Sequence, residues 1–504
     1  MSFIKKKQQP QIDWLISIIP IILVILLCIY FTTDPQGANL WIAQIRFYFT
    51  DTFGLYYLAI GLAVFLFSFY ISFSAKYGNI ILGSPDEKPI HSFRSWGAMM
   101  FTAGLAADIL FYSFSEWILY ATDEHVKRLG AIQDWASVFP LFHWGLIPWS
   151  FYLTLAVAFG FMLHVKKSDR QRFSEACRPV LGKYTDGYIG RCIDLMAVFA
   201  LLAGTATTFS LATPLMAAII NKLFHLNFSI TFITIVILLV TCIIYTYSLL
   251  HGIKGIDKLA HICIYLFFFN ILYVLFFGGA TKYILETGFY ALGCMLQNFF
   301  TLATYTDPLR TTSFPQKWTI FYWAYWMVWC VAVPFFIGRI SQGRTVRQVI
   351  WGGYFFGAGS TMLSFTIFGN YSMGLQVLNK LDIVSQYSNG GDMYEVIISV
   401  LSTLPAGASL FMMLILLNMI LFYATSFDAI AFIGALYSYT KLSDNRMPGK
   451  IVQFTWCILL ILFPIALIFS ESSMSNLQSV SIIAAFPIGI IIVMILISFI
   501  KGIK

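Results

Sequence analysis

The sequence predicts an all-α integral membrane protein with about twelve transmembrane helices. Three observations lead there. Of 504 residues, 59% are hydrophobic and only 11% are charged, whereas soluble domains carry about 25% charged residues. Windows of about 20 apolar residues recur from one end of the chain to the other. Between these windows, lysine and arginine gather in alternate loops.

The expected spans lie near 14–31, 54–73, 95–121, 137–164, 193–218 and 228–249, then 259–279, 318–340, 349–371, 408–437, 452–469 and 480–500. Lys5–Lys7, Lys76, Lys88, Arg94, the group from Lys166 to Arg191, Lys254, Lys258, Arg339, Arg344, Arg347, Lys441, Arg446, Lys450, Lys501 and Lys504 then fall on one side. Loops on the other side hold Asp123, Glu124, Asp382, Asp392 and Glu395. Positive loops face the cytoplasm, so both termini are expected there. The first span follows three lysines without a small-residue cleavage site, which marks a retained helix rather than a signal peptide. Two stretches, 38–53 and 283–304, are amphipathic and are expected to lie along the outer surface. The tails are too short to suggest a regulatory module.

Composition and motifs exclude several classes. The eight cysteines form no CxxC pair, so neither a disulfide framework nor a zinc site is implied. The seven histidines show no HExxH spacing, and neither a Walker lysine loop nor a GxGxxG turn is present. No cofactor and no structural metal are called for. No nucleophile–base set for an enzyme is visible. The net charge of +8 resides in loops, where it sets orientation and does not suggest nucleic acid. Membrane lipid is the expected surroundings.

The most informative stretch is Trp318–Trp329. At about 100° per residue, Trp318, Tyr322, Tyr325 and Trp329 share one helix face, with Trp326 at its flank. An interfacial belt would keep aromatics near helix ends. This run continues for about three turns, so it reads as a wall that attracts a cation by ring faces, as a quaternary ammonium requires. Phe142-His143-Trp144-Gly145-Leu146-Ile147-Pro148-Trp149, continuing to Tyr152, offers a second wall, with Pro148 expected to kink the fourth span or end a turn there. In the third span, small residues from Thr102 lead to Asp108, and an intramembrane acid is a functional candidate. Glu116 lies two turns on, where solvation at a helix end is the plain alternative. Phe422, Thr425 and Ser426 share a face of the tenth span, so the two hydroxyls can hold Na⁺ or bond their own helix. Asp428 follows them. His143 and His261 read chiefly as structural hydrogen bonders.

The segment Lys317–Trp326 resembles the signature of the betaine/carnitine/choline transporter family. Arg339-Ile340-Ser341-Gln342-Gly343-Arg344-Thr345-Val346-Arg347 resembles that family's ARISRGR-type loop, Lys76–Gly83 its YGxIRLG-type loop, and Phe142-His143-Trp144 with Pro148-Trp149 its fourth-span motif. The resemblance covers nearly the whole chain in order. It implies a leucine-transporter-like core of two inverted five-helix repeats, at 95–280 and 318–504. Two helices and a cytoplasmic loop would precede them (1–94), with an outer-surface helix and linker at 281–317. It implies a homotrimer in the cell inner membrane. It also implies a cage of Trp144, Trp149, Tyr152 and Trp326, with Tyr325, Trp329 and Phe111 nearby.

For coupling, the resemblance implies Thr425 and Ser426 with backbone carbonyls near Thr102, Leu105 and Phe422 if Na⁺ is used, and Asp108 if H⁺ is used. Asp108 stands where betaine carriers have a glycine, as in proton-coupled choline carriers of the family. Tyr325 replaces a usual tryptophan, and Lys317 a small or acidic residue. Cys263 stands where carnitine antiporters carry an arginine. The resulting expectation is secondary active transport of a choline-, glycine betaine- or carnitine-class compound by proton symport. Sodium-coupled betaine symport and carnitine/butyrobetaine exchange are the alternatives, and a channel or a non-transporting sensor are those from other classes.

Overall fold

An apolar segment in hydrocarbon must satisfy its backbone hydrogen bonds within itself, so the long apolar runs become helices. A computed structural model describes residues 11–168, 170–251, 256–405, 407–441, 448–470 and 472–503. Lys5–Lys7, Lys254, Arg446 and Lys504, and the side chains of Lys258, Thr425, Asp428 and Lys441, lie outside the described residues. Among the described residues, seven helices are long and apolar enough to cross a membrane, or ten if each of three bent pairs is one span.

The first expected spans fall on Trp14–Thr33 and Gly54–Phe73. The third is broken: Phe93–Thr102 and Ala107–Ala121 meet at 61°. The fourth is interrupted at Trp144 and Gly145, between Val138–His143 and Leu146–Gly160. Pro148 has no N–H to donate to Trp144 O, four residues back, so the interruption falls where a proline at 148 is expected to end a turn, and Pro148 itself sits in the first turn of Leu146–Gly160. Tyr188–Phe224 is a single long helix, largely buried, and it packs against Ala408–Tyr437, Lys450–Phe469 and Met474–Gly502. The eighth expected span is broken between Ile320–Trp329 and Val333–Ile340, with a bend of 55°.

The expected amphipathic stretches are helices too. Pro35–Thr52 covers the first. Thr281–Gln297 covers most of the second and turns by 110° from His261–Phe277. Residues 346–377 are helical throughout but change to π-helix at Gly353–Ala358 and Phe365–Gly369.

The two basic loops that carry recognisable motifs clasp one another. Gly343 N–H donates to Leu82 O (2.8 Å), Leu82 N–H to Arg344 O (2.9 Å) and Val346 N–H to Ile80 O (2.9 Å). Arg344 lies over the Trp96 ring at 4.2 Å, and Arg347 Nε donates to Ser72 O (2.9 Å). The loop backbone is thereby satisfied by a second loop rather than by a regular element.

Leu146–Gly160 crosses Val333–Ile340 at very short range. A Cβ on Gly338 would stand 2.9 Å from both Ala156 O and Gly160 N. Beside this crossing the rings of Phe159 and Phe335 stack at 3.8 Å. Gly338→Ala is expected to force the helices apart and destabilise the fold by about 1–3 kcal/mol. Gly359→Ala, whose Cβ meets nothing within 4 Å, is expected to leave the thermal unfolding midpoint of the detergent-purified protein unchanged.

Candidate functional site

The breaks in the third and eighth expected spans face one another across a cavity of about 320 Å³. Residues 103–106 leave the helix, and Ala106 is extended (φ −140°, ψ 174°). Gly104 is required there. A Cβ would lie 2.4 Å from the Trp149 ring, so the unwound backbone rests directly against the indole. Across the cavity, Ile320–Trp329 ends just beyond the aromatic run, which leaves Trp326 and Trp329 in its last turn.

Trp326 is the hub of an aromatic cluster. Its ring lies 4.7 Å from Tyr152, 5.7 Å from Trp144 and 5.7 Å from Trp149. Trp144, Tyr152, Tyr325, Trp326 and Trp329 line the cavity. Trp149 does not. It is fully buried behind Gly104 and fixes the others. Its Nε1–H donates to Thr361 Oγ1 (3.2 Å), which in turn donates to the Trp144 carbonyl (2.7 Å). Phe111 is also fully buried, against Tyr112 and Tyr394, away from the cavity lining. Cavities of this size suit small ligands, and such a ring-lined one suits a cation without donors.

The polar groups form a smaller part of the wall. Asp108 Oδ2 accepts from the Tyr325 hydroxyl, which is also bonded to Thr208. Asp108 is 3% exposed, and its Oδ1 has no partner among the described residues. Thr102, Leu105, Phe422 and Ser426 line the same cavity. The Thr102 hydroxyl donates back to Ala98 O (3.2 Å) and Met99 O (3.1 Å), which holds its side chain against its own helix. The Ser426 hydroxyl and the unwound carbonyls at 103–106 are the oxygens that an ion such as Na⁺ would draw on, with hard-cation chemistry.

Several lining residues were missed. Thr208 and Phe209 come from Tyr188–Phe224 and Tyr423 from Ala408–Tyr437, while Cys263 of Ile256–Phe277, noted above for its position, also lines the cavity. The hydroxyl-rich run Gly204-Thr205-Ala206-Thr207-Thr208-Phe209-Ser210 inside an apolar span was a usable signal. Glu116 departs further from expectation. It is not solvated at a helix end but fully buried. It accepts from the Tyr120 hydroxyl and from Trp144 Nε1–H (2.6 Å).

A second cavity of about 450 Å³, lined by His91, Gln171 and Arg339, shares Phe336 and Ile433 with the first. It leads toward the end of the molecule that carries the clasped basic loops. Toward the other end, Tyr112, Glu116, Tyr120, His143 and Tyr322 form a fully buried layer.

A family model described as betaine/carnitine/choline family transporter matches residues 15–504. A carnitine transporter of Acinetobacter baumannii is 30% identical over 474 residues, covering 92% of this chain and 84% of that protein. An uncharacterized transporter of Escherichia coli, YeaV, is 28% identical over 458 residues, covering 89% of this chain and 91% of that protein.

Thr361 holds two of the clustered tryptophans from outside the cavity. Thr361→Val leaves a buried indole N–H without an acceptor, at about 1–3 kcal/mol. The expected outcome is a lower unfolding temperature and a shifted tryptophan emission. Thr361→Ser, which keeps the hydroxyl, is expected to retain both.

Proposed function

The chain belongs to the betaine/carnitine/choline transporter family, and from that premise we propose that it is a secondary active transporter of a trimethylammonium compound. The observation that carries this reading is the packing of Trp326 against Trp144, Trp149 and Tyr152 at the edge of the cavity. A quaternary ammonium has no N–H to donate, so its dehydration is offset by ring quadrupoles rather than by hydrogen bonds. Substrate binds between the two broken helices and leaves through the cavity lined by His91 and Arg339. Closure of that route with opening of the layer at Glu116 and Tyr322 gives alternating access.

The wider architecture goes with this reading. The helical run at 346–377 and Ala408–Tyr437, added to the seven helices and three bent pairs, accounts for twelve spans. The two broken helices near the cavity are each the first of a five-helix set, at 95–280 and 318–504, as inverted repeats require. A homotrimer in the inner membrane with cytoplasmic termini completes the assignment. A relative named as a carnitine transporter makes carnitine a first ligand to try, beside choline, glycine betaine and butyrobetaine.

Proton symport is the coupling we favour, because Asp108 faces the site with one oxygen that has no partner among the described residues. Sodium coupling is the second reading, supported by Ser426 and the unwound backbone on the same cavity.

Trp326→Leu is expected to weaken substrate binding about thirtyfold in the folded protein, from the loss of about 2 kcal/mol of desolvated cation–π contact. Trp323 packs away from the cavity, against Phe142 and His143. Trp323→Leu is expected to change affinity much less, and equal losses would remove the cage. Coupling is tested in proteoliposomes at fixed membrane potential. An inward proton gradient without Na⁺ is expected to drive accumulation, and Asp108→Asn to abolish accumulation while sparing counterflow. Accumulation that requires Na⁺ and survives Asp108→Asn would move the coupling to the Ser426 side. Uptake that ignores both gradients but speeds up with preloaded substrate would mean exchange.

A further inference from the structure

Glu116 does not touch the cavity, yet it is bonded to one of the residues that line it. Its two oxygens take two different donors: Tyr120 O–H on Oε1 and Trp144 Nε1–H on Oε2, the latter at 2.6 Å. The bonding continues behind Tyr120. The Tyr120 hydroxyl is 2.6 Å from His143 Nδ1, and His143 Nε2 is 3.1 Å from Thr319 Oγ1. A hydroxyl has one proton. With Tyr120 donating to Glu116, His143 must donate from Nδ1 to Tyr120, and Thr319 must donate to His143 Nε2. The chain is then satisfied with a neutral imidazole and an ionised Glu116. The reverse order, in which a protonated Glu116 donates to Tyr120, Tyr120 to His143 Nδ1 and His143 Nε2–H to Thr319, satisfies the same contacts, and the ionised form is taken here as the premise.

The consequence falls on the Trp144 ring. An indole N–H bonded to a carboxylate is a charge-assisted hydrogen bond, and such bonds polarise the groups that make them. Electron density moves from the N–H into the ring, which makes the ring face more negative. Trp144 lines the cavity, 5.7 Å from Trp326, and Phe365 stacks on it at 5.0 Å to fix its plane. A cation–π contact depends on the negative potential of the face. We propose that Glu116 is the positioning residue that sets both the orientation and the cation affinity of Trp144, through the indole N–H. The inference rests on the cage reading above and adds a residue to it. It makes the cage selective for positive charge and not only for the shape of the trimethylammonium group.

The test separates charge from shape. The full-length purified protein is titrated with choline, glycine betaine and carnitine, and with their neutral isosteres in which a tert-butyl group replaces trimethylammonium. Glu116→Gln keeps the size of the side chain and removes the charge. It is expected to weaken the ammonium compounds about tenfold while changing the isosteres by less than about twofold. Equal losses for both sets would reduce Glu116 to a packing role, and no loss for either would remove it from the site. Should Glu116→Gln fail to fold, Glu116→Asp, which keeps the charge but draws the carboxylate back from the indole N–H by one methylene, tests the contact itself: a loss confined to the ammonium compounds supports the proposal, and equal losses or none overturn it. A Trp144→Phe background, which has no N–H to donate, is expected to make Glu116→Gln silent. An undiminished effect there would also overturn the proposal. If the unmodified protein binds an ammonium compound and its isostere alike, the cage reading fails before the role of Glu116 is reached.

Discussion

Two helices stop in the middle of the protein, at 103–106 and 330–332, and the rest of the site depends on how that is tolerated. A backbone released from its helix cannot be exposed to lipid, because nothing there hydrogen-bonds to it. It has to be covered by protein or to line a cavity. Here it does both. The first break lies against Trp149, so close that only glycine fits at Gly104. The second follows the aromatic run that ends at Trp329. The break and the ring cluster are therefore one packing unit, since large flat side chains fill the volume that a continuous helix would have occupied.

That unit is held from outside by polar contacts between different helices. Ala107–Ala121 carries two buried carboxyls, and each is tied to a ring on the cavity wall: Asp108 to Tyr325, and Glu116 to Trp144. Thr361 ties Trp149 to the Trp144 backbone. Rings by themselves slide easily against one another, because dispersion has little direction. Hydrogen bonds to their N–H and O–H groups fix the angle each ring presents. In the proposed function this matters twice, because ring orientation sets affinity and because movement between open states must break some of these bonds and spare others.

Much of the fold was legible in the sequence because hydrocarbon imposes a simple rule on length and polarity. The helix at Gly54–Phe73 falls on its expected bounds, and most others extend the expected ones by a few residues. What the pattern gave only in part was where helices break. Pro148 marked the fourth span for an interruption, and it falls within one turn of that residue, at Trp144 and Gly145; its exact place is set by Gly145, whose Cβ would stand 2.2 Å from Leu141 O. The breaks in the third and eighth spans contain no proline at 103–106 or 330–332, and the expected spans, 95–121 and 318–340, run through both. The aromatic run at Trp318–Trp329 was found by periodicity, but Trp326, placed at its flank, is the central ring. A helix that ends three residues later can turn a flanking side chain toward the cavity. The burial of Glu116 was not legible because only Tyr120, one turn on in the same helix, is a partner that spacing shows, while Trp144 and His143 come from the fourth span. A single sequence does not show that such residues meet.

The claim at the centre of this account is that the cavity recognises a cation that cannot donate hydrogen bonds. Competition binding on the purified protein tests it most directly. Choline, glycine betaine, carnitine and butyrobetaine would be compared with their primary-amine counterparts, each with and without Na⁺. A primary ammonium is strongly hydrated, and aromatic faces offset its dehydration poorly. The account predicts that at least one trimethylated compound binds saturably and that its primary-amine counterpart competes poorly. Tight binding of a primary amine, with no competition from any of the four trimethylated compounds, would contradict it.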